Sequence, residues 1–391
     1  MAVSGQGQPA ARTYRHLGAF SPLVDLAAAR HGLFPDVSPG PDLVAGIRAA
    51  LGVLDLDAPR AVVTERRWRD GDLLGEEVSW SVGFGPRTRA LVLRPAEATG
   101  PLPGVLALHC HAGAKWFGKE KIADGPAAAA EQVRALRRRL YGGRAVANEL
   151  ARRGAVVLCH DVFCWGSRRF PLADMPDRVV GYADDQRRLA ELAGRPLDEV
   201  AHYDIAARFH EHVVAKYCGL LGTSFAGVVA AEDLAAARYL RARPDVAADR
   251  VGALGLSGGG ARAALLGALD PGVTATAVIA MVSGYADLLD AHVDAHTWLL
   301  YPPGLTTRCD WPDVVAARAP APLLVVYAEH DELFPLAGMR RAHRRISHHY
   351  RALAAPEHYT GAFVPTGHCF AVDTQELAFA WLDRHLGLTA R

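Results

Sequence analysis

The chain has 391 residues, 50% hydrophobic and 22% charged, the composition of a globular protein with room for a sizeable core. With 43 basic against 42 acidic residues, the formal charge of +1 does not favour a nucleic-acid or anionic-membrane partner through bulk charge. Six cysteines in so long a chain exclude a disulfide framework, and no uninterrupted apolar run of about 18 residues marks a membrane span. Cys110, Cys159 and Cys218 lie in apolar surroundings and read as small buried hydrophobes. The basic residues are almost all arginine, and alanine is abundant, a bias that reads as the codon usage of a GC-rich bacterium. Lysine occurs only at Lys115, Lys119, Lys121 and Lys216. The start, Met1-Ala2-Val3-Ser4-Gly5-Gln6-Gly7, has no positive segment followed by an apolar run, so a cytoplasmic location is expected.

Residues 1–20 are polar and read as partly mobile. Pro22 to Arg30 and Pro41 to Leu54 carry amphipathic patterns, and residues 1–59 read as an N-terminal helical extension. Ala61 to Trp68 and Glu77 to Val82 alternate around the turn Asp70-Gly71-Asp72, and Thr88 to Leu93 follows; this predicts an antiparallel meander. Short apolar runs then alternate with helical stretches. The runs are Val105 to Leu108, Ala155 to Cys159, Val251 to Leu256, Thr274 to Val282, Pro322 to Tyr327 and Tyr359 to Val364. Such an alternation predicts an α/β fold with a mostly parallel sheet and helices on both faces, spanning residues 60–391. Two connections, 115–142 and 163–224, exceed ordinary loop lengths and leave from C-terminal strand ends, where ligands bind in such sheets. They predict helical cap insertions, with helices around Asp184 to Leu192 and Tyr203 to Leu220.

The chemistry centres on Gly255-Leu256-Ser257-Gly258-Gly259, at the end of the run Val251 to Leu256 and before a helical stretch. A serine needs a base to become a nucleophile, and a sharp strand-to-helix turn flanked by small residues presents its hydroxyl to one. The acid and histidine should follow in that order. Asp331, just past the run ending at Tyr327, is the expected acid, with Glu329, Glu332 and Asp287 as rivals. His368, in the loop Pro365-Thr366-Gly367-His368-Cys369-Phe370, is the expected base, with His358 as competitor. His343, His348 and His349 fall in an arginine-rich helical stretch and are expected to face solvent. Backbone amides should stabilise the developing oxyanion: that of Gly258, and that of His111 or alternatively Ala112 in the loop His109-Cys110-His111-Ala112-Gly113. His109 and His111 have no carboxylate or thiol at zinc-site spacing, so no metal and no cofactor are expected.

The arrangement resembles the α/β-hydrolase superfamily, in its branch of acetyl-xylan-esterase-like and dienelactone-hydrolase-like proteins. The resemblance covers about residues 60 to 387. It rests on the loop 109–113, Asp161 with Gly166-Ser167-Arg168, Gly255 to Gly259, and Asp331 with His368. It implies serine acyl-enzyme chemistry. The chain departs from the branch where Cys110 and Ala112 replace common glycines, and in its large cap; Ser257 argues against a cysteine-dependent version. The expected activity is hydrolysis of a small-molecule carboxylic ester. Cleavage of an amide, thioester or carbon–carbon bond, acyl transfer, and a non-catalytic binding role on the same fold are the alternatives. No nucleic-acid or membrane partner is expected, and homo-oligomerisation is left open.

The substrate-binding candidates are Lys115, Trp116, Trp165 and Arg168. Lys115 could clamp an anionic group, or the segment Lys115 to Lys121 could be a solvated charge cluster with its aromatics packed beneath the cap. Arg168 could assist from the opposite side, or pair with Asp161. Phe117, Phe163, Phe170, Phe225 and Trp298 are further candidates for an apolar pocket.

Overall fold

The computed structural model describes residues 13–388. Residues 1–12, part of the segment read as mobile, lie outside the described residues. Helices α1 (Pro22–His31) and α2 (Pro41–Leu51) precede three strands, β1 (Arg60–Asp70), β2 (Leu73–Ser81) and β3 (Thr88–Pro95). These pair antiparallel in sequence order, which is the expected meander. The second strand starts earlier than its alternation predicts, because Leu73 and Leu74 pair across to Pro95 and Arg94.

The chain then runs through β4 (Leu102–Leu108), helices α3 (Glu131–Leu140) and α4 (Val146–Arg152), and β5 (Val156–His160). Helices α5 (Asp177–Leu192), α6 (Glu199–Leu220) and α7 (Phe225–Arg241) lead to β6 (Val246–Leu256) and α8 (Gly258–Leu269). Next come β7 (Ala275–Ile279), the short helices α9 (Tyr285–Leu288) and α10 (Trp311–Val315), β8 (Leu323–Ala328), α11 (Leu336–Ala352), β9 (Tyr359–Val364) and α12 (Val372–Leu386). All strands join one nine-stranded sheet in the order β1-β2-β3-β5-β4-β6-β7-β8-β9. β5 meets β3 antiparallel and β4 parallel, and the ladder stays parallel out to β9. This is the α/β-hydrolase arrangement.

Alternation explains why both faces are covered. Leu106 and Leu108 of β4 enter the core on one face with Val92 and Leu158. Val105 and Ala107 enter the core on the other with Leu93 and Val157. Successive strand side chains point to opposite faces, so a strand buried on both sides must be apolar throughout. β6 reaches back to Val246, beyond the expected Val251, because Leu102 and Pro103 pair with Val246 and Ala247 before an irregularity at Gly104.

The N-terminal extension is partly built into this core. Leu43, Ile47 and Leu51, on one stripe of α2, are buried, each side chain contributing about 1.5–3 kcal/mol on burial. The carbonyl of Leu51 accepts from the amide of Ser224 at 3.0 Å and from its hydroxyl at 2.8 Å. The Ser224 hydroxyl oxygen in turn caps α7 by accepting from the Gly227 amide at 2.9 Å. α11 corrects one expectation: His348 is exposed, but His349 is buried and bonds Asp313 at 2.8 Å, while His343 Nδ1 lies 2.9 Å from the Tyr359 hydroxyl. The arginines of that helix hide its apolar stripe from a composition-based reading. Among the described residues, no single helix is long and apolar enough to cross a membrane.

Candidate active site

Ser257 joins β6 to α8 with φ 56° and ψ −125°. A side-chain-bearing residue in such a region costs about 1–3 kcal/mol and persists only where its neighbours over-determine it. Here the Ser257 amide donates to the Ile279 carbonyl at 2.9 Å, and its carbonyl accepts from the Ala261 amide at 2.9 Å. Close approach explains the flanking glycines. A Cβ on Gly255 would lie 2.2 Å from the Gly259 backbone, and one on Gly258 would lie 2.9 Å from the His111 amide nitrogen. The Gly258 and His111 backbones therefore stand side by side next to the serine.

β8 and β9 are parallel neighbours, so the loops leaving their C-terminal ends meet. The His330 amide donates to the Thr366 carbonyl at 3.0 Å. Asp331 and His368 are thereby brought together, with His368 Nδ1 2.6 Å from Asp331 Oδ2. The other Asp331 oxygen accepts from the Leu333 amide at 2.8 Å, which fixes the carboxylate. Since Nδ1 is engaged, Nε2 is the nitrogen left for a reacting group. The rival acids lie elsewhere: Glu329 faces Arg340 at 3.8 Å, Asp287 pairs with Arg341, and Glu332 is exposed on the cavity wall. His358 Nδ1 meets the Pro320 carbonyl at 2.7 Å.

Ser257, Gly258, His111 and His368 open into one cavity of about 560 Å³. Its walls come from the 109–113 loop, the end of α3, the middle of α6, the 294–297 segment and the loops carrying His330 and Gly367. None of the four residues chosen from the sequence as substrate ligands lines it. Lys115 is buried, with Nζ 2.6 Å from Glu211 Oε2 and 4.6 Å from the centroid of the Trp165 ring. Trp165 is buried beneath it. Trp116 stacks outside the cavity, under the Arg169 guanidinium at 4.3 Å and against Tyr203. Arg168 is buried and pairs with Glu232, not with Asp161; it also donates to the Phe84 carbonyl at 2.9 Å. The partner of Asp161 is Lys119, whose Nζ lies 3.0 Å away. These choices failed for one reason. A basic or aromatic residue next to a site in sequence can still point into the protein, and only the tertiary position of its partner decides that. The cations that do line the cavity are Arg139 and Arg208, on α3 and α6.

The lysine cluster is not solvated. Lys115, Lys119 and Lys121 are all buried, each with different partners. Burial opposes the charge on Lys119, but Asp161 and Glu120 beside it raise its pKa above the ordinary lysine value. Lys121 has no carboxylate partner among the described residues. Its Nζ donates to the carbonyls of Cys110 at 2.9 Å and His111 at 3.1 Å. Burial pushes its pKa down to about 8.

Glu211, unmarked in the sequence reading, ties α6 to the 109–113 loop and the 294–297 segment. Burial alone would raise its pKa, but Lys115 and His111 beside it hold the carboxyl well below the ordinary range. One oxygen faces Lys115 Nζ and His111 Nε2, the latter at 2.8 Å. The other accepts from the Thr297 hydroxyl at 2.7 Å and the Trp298 amide at 3.0 Å. His111 Nδ1 accepts from the Gly113 amide at 3.0 Å, so its proton sits on Nε2, directed at Glu211. Burial lowers the His111 pKa, and the Glu211 carboxylate opposes that shift. A signal existed in the sequence: Ala207, Glu211, Val214 and Cys218 form one buried helical stripe, and a carboxylate within an apolar stripe needs a buried partner.

His109 is buried, with Nδ1 3.2 Å from the Cys110 carbonyl oxygen. Ala112 takes φ 57°, a conformation that favours glycine. Among the described residues, no cluster of histidine, cysteine and acidic side chains has the geometry to hold a metal ion.

No family model matches the chain. A provisionally named hydrolase of Bacillus subtilis, YtaP, is 23% identical over 337 residues, covering 86% of this chain and 96% of that protein. Among solved structures, a provisionally named acetyl xylan esterase from Bacteroides fragilis superposes with a TM-score of 0.63 at 16% identity, over 93% of this chain and 85% of its own. A glucuronoyl esterase from Solibacter usitatus superposes with a TM-score of 0.58 at 16% identity, over 88% and 91%. Acetyl xylan esterase 1 from a Thermoanaerobacterium species gives 0.51 at 14% identity, over 90% and 96%. At these identities the likeness establishes the α/β-hydrolase fold.

Proposed function

We propose that the protein is a serine hydrolase that cleaves a carboxylic ester of a small molecule through an acyl-enzyme. The observation that carries this reading is that His368, hydrogen-bonded to the buried Asp331, opens into the same cavity as the strained Ser257. A fold alone would not carry it, because function lies in the site. The esterase names of the structural neighbours agree with it.

In this reading His368 Nε2 takes the Ser257 hydroxyl proton as Oγ bonds to the ester carbonyl carbon. Asp331 holds the imidazole in the required tautomer and stabilises its cation. The Gly258 and His111 amides donate to the oxyanion. The oxyanion collapses, the carbon–oxygen bond to the alcohol breaks, and His368 returns its proton to the departing alcohol. A water, deprotonated by His368, then attacks the acyl-enzyme and releases the acid and Ser257. A cavity of about 560 Å³ suits a substrate of metabolite or short-oligosaccharide size.

A panel of aryl acetates, acetylated sugars and matched amides and thioesters, with products followed by mass, tests the reading. Release of acid and alcohol from esters ahead of the matched amides and thioesters supports it. Turnover of amides or thioesters with no ester hydrolysis contradicts it.

A further inference from the structure

Two of the three clustered lysines neutralise buried carboxylates, Lys115 with Glu211 and Lys119 with Asp161. The third does not. Lys121 is fully buried, and among the described residues its ammonium is bonded only to main-chain oxygens, those of Cys110 and His111. A buried cation without a counter-ion is costly, so its position calls for a reason.

The reason lies in which carbonyls it touches. The carbonyl of residue 110 and the amide of residue 111 are opposite ends of one peptide unit, as are the carbonyl of 111 and the amide of 112. Electrons are delocalised across each unit. A cation at the carbonyl oxygen therefore draws density from the nitrogen and makes the N–H a stronger donor. The His111 amide stands beside Gly258, and both residues line the cavity into which Ser257 opens. The Lys121 carbonyl in turn accepts from Arg137 Nε at 3.2 Å, which anchors the turn that holds the ammonium in place.

We infer that Lys121 is a positioning residue that polarises the Cys110–His111 and His111–Ala112 peptide units, so that their amides bind a developing oxyanion more strongly. The inference rests on the proposed serine hydrolysis and adds the source of the loop's donor strength. It does not place Lys121 in contact with substrate, because the ammonium lies behind the loop and is sealed from the cavity.

The polarisation needs the ammonium charged. With a pKa near 8, Lys121 is protonated at neutral pH and loses its proton on the alkaline side. The charged and titratable groups around it are Cys110, His109 and His111 on the loop, Glu120 on its own turn, Asp204 on α6 and Arg262 on α8. Burial is the largest influence and opposes the charge; Cys110, Asp204 and Glu120 favour it, and Arg262 opposes it.

The test uses the second-order rate at which an alkyl fluorophosphonate labels Ser257, because the phosphonyl oxygen occupies the oxyanion site and no substrate need be known. It is measured across pH 6 to 10 on the full-length protein, beside turnover of p-nitrophenyl acetate. In the wild type, both rates are expected to fall above a pH of about 8 as Lys121 deprotonates. Lys121→Met is expected to lower labelling and kcat by about tenfold or more, less than loss of a direct donor, with KM little changed and the alkaline fall abolished. Lys121→Arg, which keeps its charge, is expected to restore part of the rate and extend it to higher pH. Should Lys121→Met fail to fold, the wild-type profile and the arginine variant still decide. Wild-type rates in Lys121→Met, or an alkaline fall near pH 8 that persists unchanged in Lys121→Arg, overturn the inference while leaving serine hydrolysis intact. A wild type that neither labels nor turns over ester overturns both.

Discussion

Glu211 on α6 and Lys115 just after the 109–113 loop form an ion pair of 2.6 Å in which both side chains are buried. The same carboxylate oxygen holds the His111 ring, so this pair joins α6, the loop and the cavity wall in one unit.

Breaking this pair from one side leaves the other charge buried and alone. Glu211→Gln and Lys115→Met should each lower stability by about 3 kcal/mol or more, and the double variant should lose clearly less than the sum. Urea unfolding of the four proteins measures the cycle. The sign of its pH dependence follows from the depressed Glu211 pKa. In acid, the unfolded chain takes up this proton before the folded protein does. Glu211 therefore contributes stability that is fully present above the ordinary carboxylate range and lost as pH falls through the lower folded value. Glu211→Gln should flatten that part of the stability profile.

Asp331 is hydrogen-bonded to His368 and to the Leu333 amide, so an asparagine can keep the shape but reverse the hydrogen bond to the ring. Asp331→Asn should lower kcat for p-nitrophenyl acetate by about 10⁴-fold with KM little changed, as expected when a base is held in the wrong tautomer. Steady-state kinetics beside an unchanged circular dichroism spectrum checks this.

Gly258 faces the His111 amide at a distance that leaves no room for a methyl group. Gly258→Ala should push the loop away from the serine and cost about 10- to 100-fold in kcat, since a displaced oxyanion donor loses most of its effect. The secondary structure should survive, because alanine suits the start of a helix. The labelling rate of Ser257 by a fluorophosphonate should fall with kcat.

How far the site was legible follows from how each residue is placed. Ser257, Asp331 and His368 sit at ends of strands that the apolar runs marked, and parallel pairing of β8 with β9 then forces the last two together. Local signals suffice for such residues. Glu211, Arg139 and Arg208 reach the cavity only because α3 and α6 fold over it, and nothing near them in the chain names the partner. The segment Lys115 to Lys121 stood out as a cluster, but its direction was misread. Its charges face inward, toward Glu211, Asp161 and two carbonyls that lie far off in sequence or behind the loop. The fold was more legible than the cap, because two-faced burial imposes unbroken apolar strands, whereas a cap helix is set by what it covers.

The central claim is tested most directly by treating the wild type and Ser257→Ala with an alkyl fluorophosphonate and locating any adduct by peptide mass, alongside p-nitrophenyl acetate turnover. The account predicts one adduct on Ser257 in the wild type, and neither adduct nor turnover above background in the variant. Equal labelling or undiminished turnover in Ser257→Ala would contradict it.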